Sequence, residues 1–444
     1  MIWYSLSQPS DTATLLEAAQ RSIGHDGGLF MPRDFPRWDD VNRLLTLPPR
    51  ELWREIFQRL LVGELSSSEI QSLTDEAFSF PLPLTRVSEH AWSLELFHGP
   101  TLAFKDFGAR FLARILGHAT RHQTGKPLTI LTATSGDTGA AVAQAFHRVP
   151  GIRVVVLFPK HRISPLQERL FATLGDNVLA LRVAGSFDDC QSLVKACFRD
   201  RELCRHFGLT SANSINPARL LAQIGYYLVG VAIWRQQTGR TDAPTITVPC
   251  GNFGNLTAGL LAERLGLPVR RFLIATNANT VVPEYLAGAP YTPRASVATL
   301  ANAMDVGAPN NWARIRALYQ NDDQRLRQAL TADSVDDHGI RQAILDLSHQ
   351  GYLADPHTAT AWQVFERHRR PDEPGIFLAT AHPAKFSEVL RDILHRDIPC
   401  PPVLHETLSR PLLTEDLEGS ADELARRMER FCQAGAPAGN ISPT

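Results

Sequence analysis

This 444-residue chain lacks a charge bias: 45 Lys and Arg stand against 46 Asp and Glu, a net charge of -1. Bulk charge therefore draws it neither to nucleic acid nor to an anionic membrane surface. Affinity for an anion must come from a local cluster of polar and basic groups. No apolar run reaches the roughly 20 residues needed to span a bilayer. The opening Met1-Ile2-Trp3-Tyr4-Ser5 lacks the basic stretch and apolar core of a secretory signal. Cysteine is sparse: Cys190, Cys197, Cys204, Cys250, Cys400 and Cys432, with no close pair and no histidine partners at metal-ligand spacing. No metal is expected. The seven-residue recurrence of Cys190, Cys197 and Cys204 reads as a helix face packed on the core, and free thiols fit a reducing cytoplasm. Internal repeats are absent, and neither the Gly-Lys-Ser/Thr loop nor the dinucleotide Gly-x-Gly-x-x-Gly pattern occurs.

What is present is an ordinary globular composition, 44% hydrophobic and 20% charged. The length implies two or three domains. Residues 1–95 read as mostly helical: Glu51–Leu61 and the stretch before Pro81 carry apolar residues at helical spacing. Pro81-Leu82-Pro83 interrupts that pattern. Beyond it one unit recurs, an aliphatic run, a polar or glycine-rich loop, then a helical pattern. Leu128–Thr134 leads through Ser135-Gly136-Asp137-Thr138-Gly139 to Ala140–Phe146, and Val154–Phe158 leads to Ser164–Leu174. Thr245–Val248 leads through Cys250–Asn255 to Leu256–Leu265, and Ile376–Ala379 leads through Thr380–Pro383 to Ala384–Leu394. Strands alternating with helices predict an α/β fold of mostly parallel sheets, with ligands beyond the carboxyl ends of the strands.

One lysine breaks local rules. After a strand ending near Phe97, the spacing predicts a helix capped by Thr101 and running to about Gly117. Phe104, Phe107, Phe111 and Ile115 form one apolar stripe. Lys105, Ala109, Leu112 and Leu116 form a second, apolar but for the lysine. Lys105 thus points towards apolar surroundings and sits in the first turn, where the helix dipole disfavours a cation. Burial favours a neutral amine, which can form a Schiff base. A lysine snorkelling to water explains the same segment equally well.

Two strand-to-helix loops suit anions. Thr134, Ser135 and Thr138 bring hydroxyls to one, and Gly251-Asn252-Phe253-Gly254-Asn255 allows close backbone approach in the other. Either alone also reads as a tight turn. A third cluster, Asn213-Ser214-Ile215-Asn216-Pro217-Ala218-Arg219, precedes the amphipathic stretch Leu220–Tyr227. Pro217 suits a first helical turn, and Arg219 can offer a planar fork to a phosphate. A capped surface helix is the alternative. Two such loops beside an odd lysine point to a phosphorylated cofactor held through a Schiff base.

Together these residues resemble the threonine synthase family, fold-type II pyridoxal-phosphate enzymes of the tryptophan synthase β-like group. The resemblance rests on His98-Gly-Pro-Thr-Leu-Ala-Phe-Lys-Asp-Phe-Gly108, Thr132-Ala-Thr-Ser-Gly-Asp-Thr-Gly-Ala-Ala141, Gly251-Asn-Phe-Gly-Asn255 and Thr380-Ala-His-Pro-Ala-Lys-Phe386. With Gly27-Gly28-Leu29-Phe30 it matches the longer, N-terminally extended branch of enterobacteria and yeast. It covers nearly the whole chain. It implies parallel sheets flanked by helices and an N-terminal helical extension over 1–95. A large cofactor domain would comprise 96–126 and 236–432, a small α/β domain 127–235, and a flexible tail 433–444.

The resemblance further implies that Lys105 holds pyridoxal 5′-phosphate, Gly251 to Asn255 cradle its phosphate, Thr380 meets the ring nitrogen, and Asp137 lies near the ring oxygen. Thr134, Ser135 and Thr138 would take the substrate carboxylate. Asn213, Ser214, Asn216 and Arg219 would take the substrate phosphate. The implied activity is that of a cytoplasmic carbon–oxygen lyase that turns O-phospho-L-homoserine and water into L-threonine and phosphate. Elimination occurs at Cγ and water adds at Cβ, with Lys105 moving protons at Cα and Cβ. Two alternatives stay open. One is a phospho-lyase of the same fold that releases 2-oxobutyrate. The other is a regulator that binds cofactor or metabolite without catalysis. Monomer and homodimer are both compatible with the sequence.

Overall fold

Strands that are apolar at every position have no polar side to turn to water, so they need cover on both faces. Thr245–Pro249 and Gly375–Ala379 are of this kind, buried at all five positions. In the computed structural model, which describes residues 1–121, 127–134, 136–160 and 163–434, they occupy the middle of a six-stranded sheet. Its spatial order is Thr331–Ser334, Arg271–Thr276, Thr245–Pro249, Gly375–Ala379, Ala91–Glu95 and Leu84–Arg86. All neighbours are parallel except the last pair. Thr247 lies beside Phe377, and Ala379 beside Glu95, so the three central strands end level.

This sheet belongs to a compact unit of Met1–Ile115 and Asn213–Pro401. A second unit comprises Leu116–Ala212 and the segment from Pro402. It holds five parallel strands in the order Thr414–Leu417, Val178–Val183, Ile152–Pro159, Leu128–Ala133 and Leu209–Thr210. The α/β expectation and the strand-loop-helix units are therefore realised.

The boundaries differ from those expected. Residues 1–95 contain helices Leu15–Arg21, Val41–Leu44, Pro49–Leu60 and Ser67–Ala77. They also contain an antiparallel sheet of Trp3–Ser5, Thr12–Ala13 and Phe30–Pro32 that the sequence reading missed. They share a core with the rest of their unit, where Trp53 stacks on Phe78 at 4.1 Å and Phe57 meets Phe111 at 4.9 Å. Helix Pro217–Thr238 falls in this unit rather than the smaller one. It is buried almost throughout and packs on Pro49–Leu60 and Gly254–Leu265. The segment from Pro402 instead gives the smaller unit an edge strand and two helices, Pro402–Ser409 and Ala421–Ala434.

Gln433 and Ala434 are the last residues of that final helix, not a tail; residues 435–444 lie outside the described residues. Cys190 and Cys197 line one buried face of helix Phe187–Arg199. Cys204 falls on a separate helix, Arg201–Phe207, because Asp200 ends the first and caps the second. Among the described residues no helix is long and apolar enough to cross a membrane, and no His/Cys/Asp/Glu group could hold a metal.

Candidate active site

The three level strand ends converge through backbone pairing. Leu96 N–H donates to the Ala379 carbonyl at 2.9 Å, Phe104 N–H to Thr380 at 2.9 Å, and His382 N–H to Leu102 at 3.0 Å. Ala103 and Ala381 form an antiparallel bridge. This ribbon sets Thr380 beside the start of helix Lys105–Arg121. The helix begins at Lys105, three residues later than a Thr101 cap requires. Thr101 is engaged elsewhere: its N–H and hydroxyl donate to the Asp106 carboxylate at 2.8 and 2.6 Å. Asp106 is 1% exposed. Burial raises its pKa and the Thr101 bonds oppose that. The Lys385 ammonium donates to the Thr101 carbonyl at 2.8 Å. Sequence reading missed Asp106 and Lys385 although both lie in the quoted motifs.

Lys105 itself is only partly buried, whereas Ala109, Leu112 and Leu116 below it are fully so. The apolar stripe begins one turn further on, and the Lys105 amine lies 5.3 Å from the Phe104 ring centroid.

Gly251–Asn255 joins the neighbouring strand to helix Gly254–Leu265. Phe253 takes a left-handed conformation, φ 61°, and no side chain caps the helix. First-turn N–H groups at such an end are available to an anion. A Cβ on Gly251 would lie 2.8 Å from Met304 Cα and 2.9 Å from the Ala303 carbonyl oxygen, so only glycine fits. Asn255 is held by two buried phenols. Tyr226 and Tyr227 donate to its Oδ1 at 2.6 and 2.7 Å. Burial pushes both phenols well above their ordinary pKa, which keeps them as neutral donors. The Asn255 Nδ2, also buried, has no hydrogen-bond partner among the described residues. An orphaned donor beside an uncapped helix end and a glycine-only cradle fits a phosphate group. The residues present therefore fit a phosphorylated cofactor held near Lys105 and Thr380.

Asn213–Arg219 lies in the same unit. The Asn252 amide donates to Ser214 Oγ at 2.6 Å, which ties this cluster to the glycine loop. Arg219 is 2% exposed, and burial brings its pKa down to about 10. It reaches the lysine helix because a Cβ on Gly108 would come within 3.2 Å of Arg219 Cβ and 3.3 Å of its Nε. Asn216, expected on the substrate phosphate, is engaged within the protein. Its Oδ1 caps helix Pro217–Thr238 at Ala218 N, 3.1 Å, and its two amide hydrogens have Ala19 O and Ser22 Oγ at 2.8 and 2.9 Å. This wholly buried amide thereby holds the N-terminal segment at Ala19 and Ser22.

In the smaller unit, Thr134, expected on the substrate carboxylate, is engaged in its own turn. Its hydroxyl accepts from Gly136 N–H and Gly139 N–H at 2.9 and 2.8 Å and faces the Gly136 carbonyl at 3.1 Å. Its own N–H donates to Leu157. It shapes the turn that leads into the helix. Thr138, partly exposed, sits in the first turn of helix Asp137–Phe146. Asp137 is 6% exposed and accepts from the Gln167 amide at 3.2 Å. Ser135 lies outside the described residues. Two participants escaped sequence reading, Arg314 and Asn311, which fasten the glycine loop from a segment with no motif.

Comparison with known proteins shows what the chain is similar to. A family described as pyridoxal-phosphate dependent enzymes matches residues 81–377, and the threonine synthase C-terminal family matches 358–427. The chain is 46% identical to threonine synthase of Haemophilus influenzae over 95% of its own length and 98% of that protein. The crystal structure of threonine synthase from Escherichia coli superposes with a TM-score of 0.90 at 44% identity, covering 97% of this chain and 100% of that one. The pyridoxal-phosphate-bound threonine synthase of Brucella melitensis gives 0.90 at 30% identity, over 97% and 99%.

Proposed function

The chain belongs to the threonine synthase family of pyridoxal-phosphate-dependent enzymes, and we propose that it converts O-phospho-L-homoserine and water to L-threonine and inorganic phosphate. The observation that supports this most is the ribbon pairing Phe104 with Thr380. It brings a reactive amine and a neutral hydroxyl to one strand edge, next to a loop shaped for phosphate. When bound, pyridoxal phosphate supplies the electron sink that makes Cα–H and Cβ–H of the substrate acidic. Lys105 and Thr380 would hold it, with the N–H groups of Gly254 and Asn255 and the Asn255 amide on its phosphate.

The Lys105 amine takes the proton from substrate Cα and then moves protons at Cβ and Cγ. It stands on a helix end fastened by Asp106, Thr101 and Lys385, so it acts from a fixed place. Arg219, with Ser214 and Asn213, binds the leaving phosphate. A guanidinium already desolvated has little water to shed as charge develops on that group. Thr380, being neutral, leaves the ring nitrogen unprotonated, whereas a carboxylate there would favour the charged ring. Purified enzyme supplied with O-phospho-L-homoserine should release phosphate and threonine in equal amounts. Phosphate without threonine would defeat the proposal.

A further inference from the structure

A buried cation with no carboxylate beside it is costly unless its hydrogens are fully used. Arg314, on helix Trp312–Leu318, is such a group: it is 0% exposed, and no carboxylate pairs with it among the described residues. Burial brings its pKa down to about 9. All three nitrogens of its fork donate to neutral acceptors. Nη1 reaches Asn311 Oδ1 at 2.6 Å, Nη2 the Ile215 carbonyl at 2.7 Å, and Nε the Phe30 carbonyl at 3.0 Å.

These bonds close a ring. Asn311 Nδ2 donates to the Asn252 carbonyl at 2.9 Å, and Asn310 N–H donates to Asn252 Oδ1 at 2.6 Å. Asn252 Nδ2 donates to Ser214 Oγ at 2.6 Å, and Ser214 is covalently next to Ile215, where the fork returns. One arm thus reaches the glycine loop through Asn311, and another ends on the Asn213–Arg219 cluster. The third ends on the N-terminal segment, at a carbonyl 284 residues away in sequence.

We propose that Arg314 is a positioning residue that fixes the cofactor-phosphate loop and the substrate-phosphate cluster in one register, so that loss of its fork weakens both sites together. This rests on the assignment of those two sites made above. A planar fork serves three acceptors in fixed directions, which an ammonium cannot do at once.

The test uses the full-length apoenzyme and holoenzyme of three variants. Arg314→Met removes the fork at similar bulk, Arg314→Lys keeps the charge alone, and Gly251→Ala perturbs only the cradle. Pyridoxal 5′-phosphate added to apoenzyme is followed by tryptophan fluorescence, and KM and kcat for O-phospho-L-homoserine are measured at saturating cofactor. Losing hydrogen bonds to a charged group predicts that Arg314→Met raises both the cofactor Kd and KM by about tenfold or more. The expected change in kcat is much smaller, and Arg314→Lys recovers only part of the loss. If Arg314→Met does not fold, Arg314→Lys is read by the same two constants. A lowered Tm with Kd and KM unchanged overturns the proposal, as does a change in one constant alone. If Gly251→Ala also leaves the cofactor Kd unchanged, the assignment of the cradle has failed. If Gly251→Ala weakens the cofactor and the Arg314 variants do not, only the coupling has failed.

Discussion

The backbone N–H of Phe104 donates to the Thr380 carbonyl at 2.9 Å, so the residue before Lys105 is stitched to the strand end that carries Thr380. Neither residue can shift without the other. In a sheet whose central strands end level, that bond turns two distant motifs into one site at the carboxyl edge, where open α/β sheets bind ligands.

Lys105 is therefore expected to carry the cofactor. Borohydride reduction of the holoenzyme followed by peptide mapping should find the pyridoxyl group on Lys105. Lys105→Ala should fold with an unchanged Tm as apoenzyme and lose turnover. A label on Lys385, Lys160 or any other lysine would contradict the assignment.

The two phosphate sites should separate by mutation. Gly251→Ala forces a methyl against Met304 Cα and the Ala303 carbonyl at 2.8 and 2.9 Å, backbone that cannot step aside. Cofactor affinity should fall by about tenfold or more, the equivalent of about 1.4 kcal/mol. Arg219→Lys keeps a charge but loses the fork. It should lower kcat/KM for O-phospho-L-homoserine with cofactor content unchanged. The opposite pattern, cofactor loss in Arg219→Lys and intact binding in Gly251→Ala, would mean the sites are exchanged.

Much of this was legible in sequence, because strands apolar throughout and glycine-rich turns are local signals. The three-stranded sheet near the N-terminus was not, since strands of two or three residues show no periodicity. Thr134 and Asn216 carry the right chemistry for ligands, but their hydrogens are engaged within the protein, and a motif does not say where a hydroxyl or amide points. Arg314 was invisible for a different reason: its acceptors lie 99 and 284 residues away at Ile215 and Phe30. Lys105 was found by its misfit, although the expected depth of burial was too great.

Acid stability should depend on His382. Burial, followed by the nearby His98 and Lys385 and opposed by Glu95 and Asp355, brings this ring down to about 4 from 6.5. The folded state thus favours neutral imidazole, which accepts from Ala384 N–H at 3.1 Å and packs edge-on against Phe97. This contribution is complete above pH 6.5, declines as pH falls towards 4, and is gone below that. It is worth up to about 3 kcal/mol before screening at a part-exposed ring. His382→Asn keeps an acceptor but cannot take the proton. Unfolding free energy measured by urea between pH 7 and 4 (roughly the span of the shift) should fall less steeply in the variant. An identical slope would remove His382 from the account.

The central claim is that water adds to substrate Cβ before the product leaves. Turnover of O-phospho-L-homoserine in heavy-oxygen water, with mass analysis of the products, tests it directly. Threonine labelled at its hydroxyl is expected in amounts equal to the phosphate released. Stoichiometric 2-oxobutyrate with little threonine would contradict it and make the chain a phospho-lyase of the same fold.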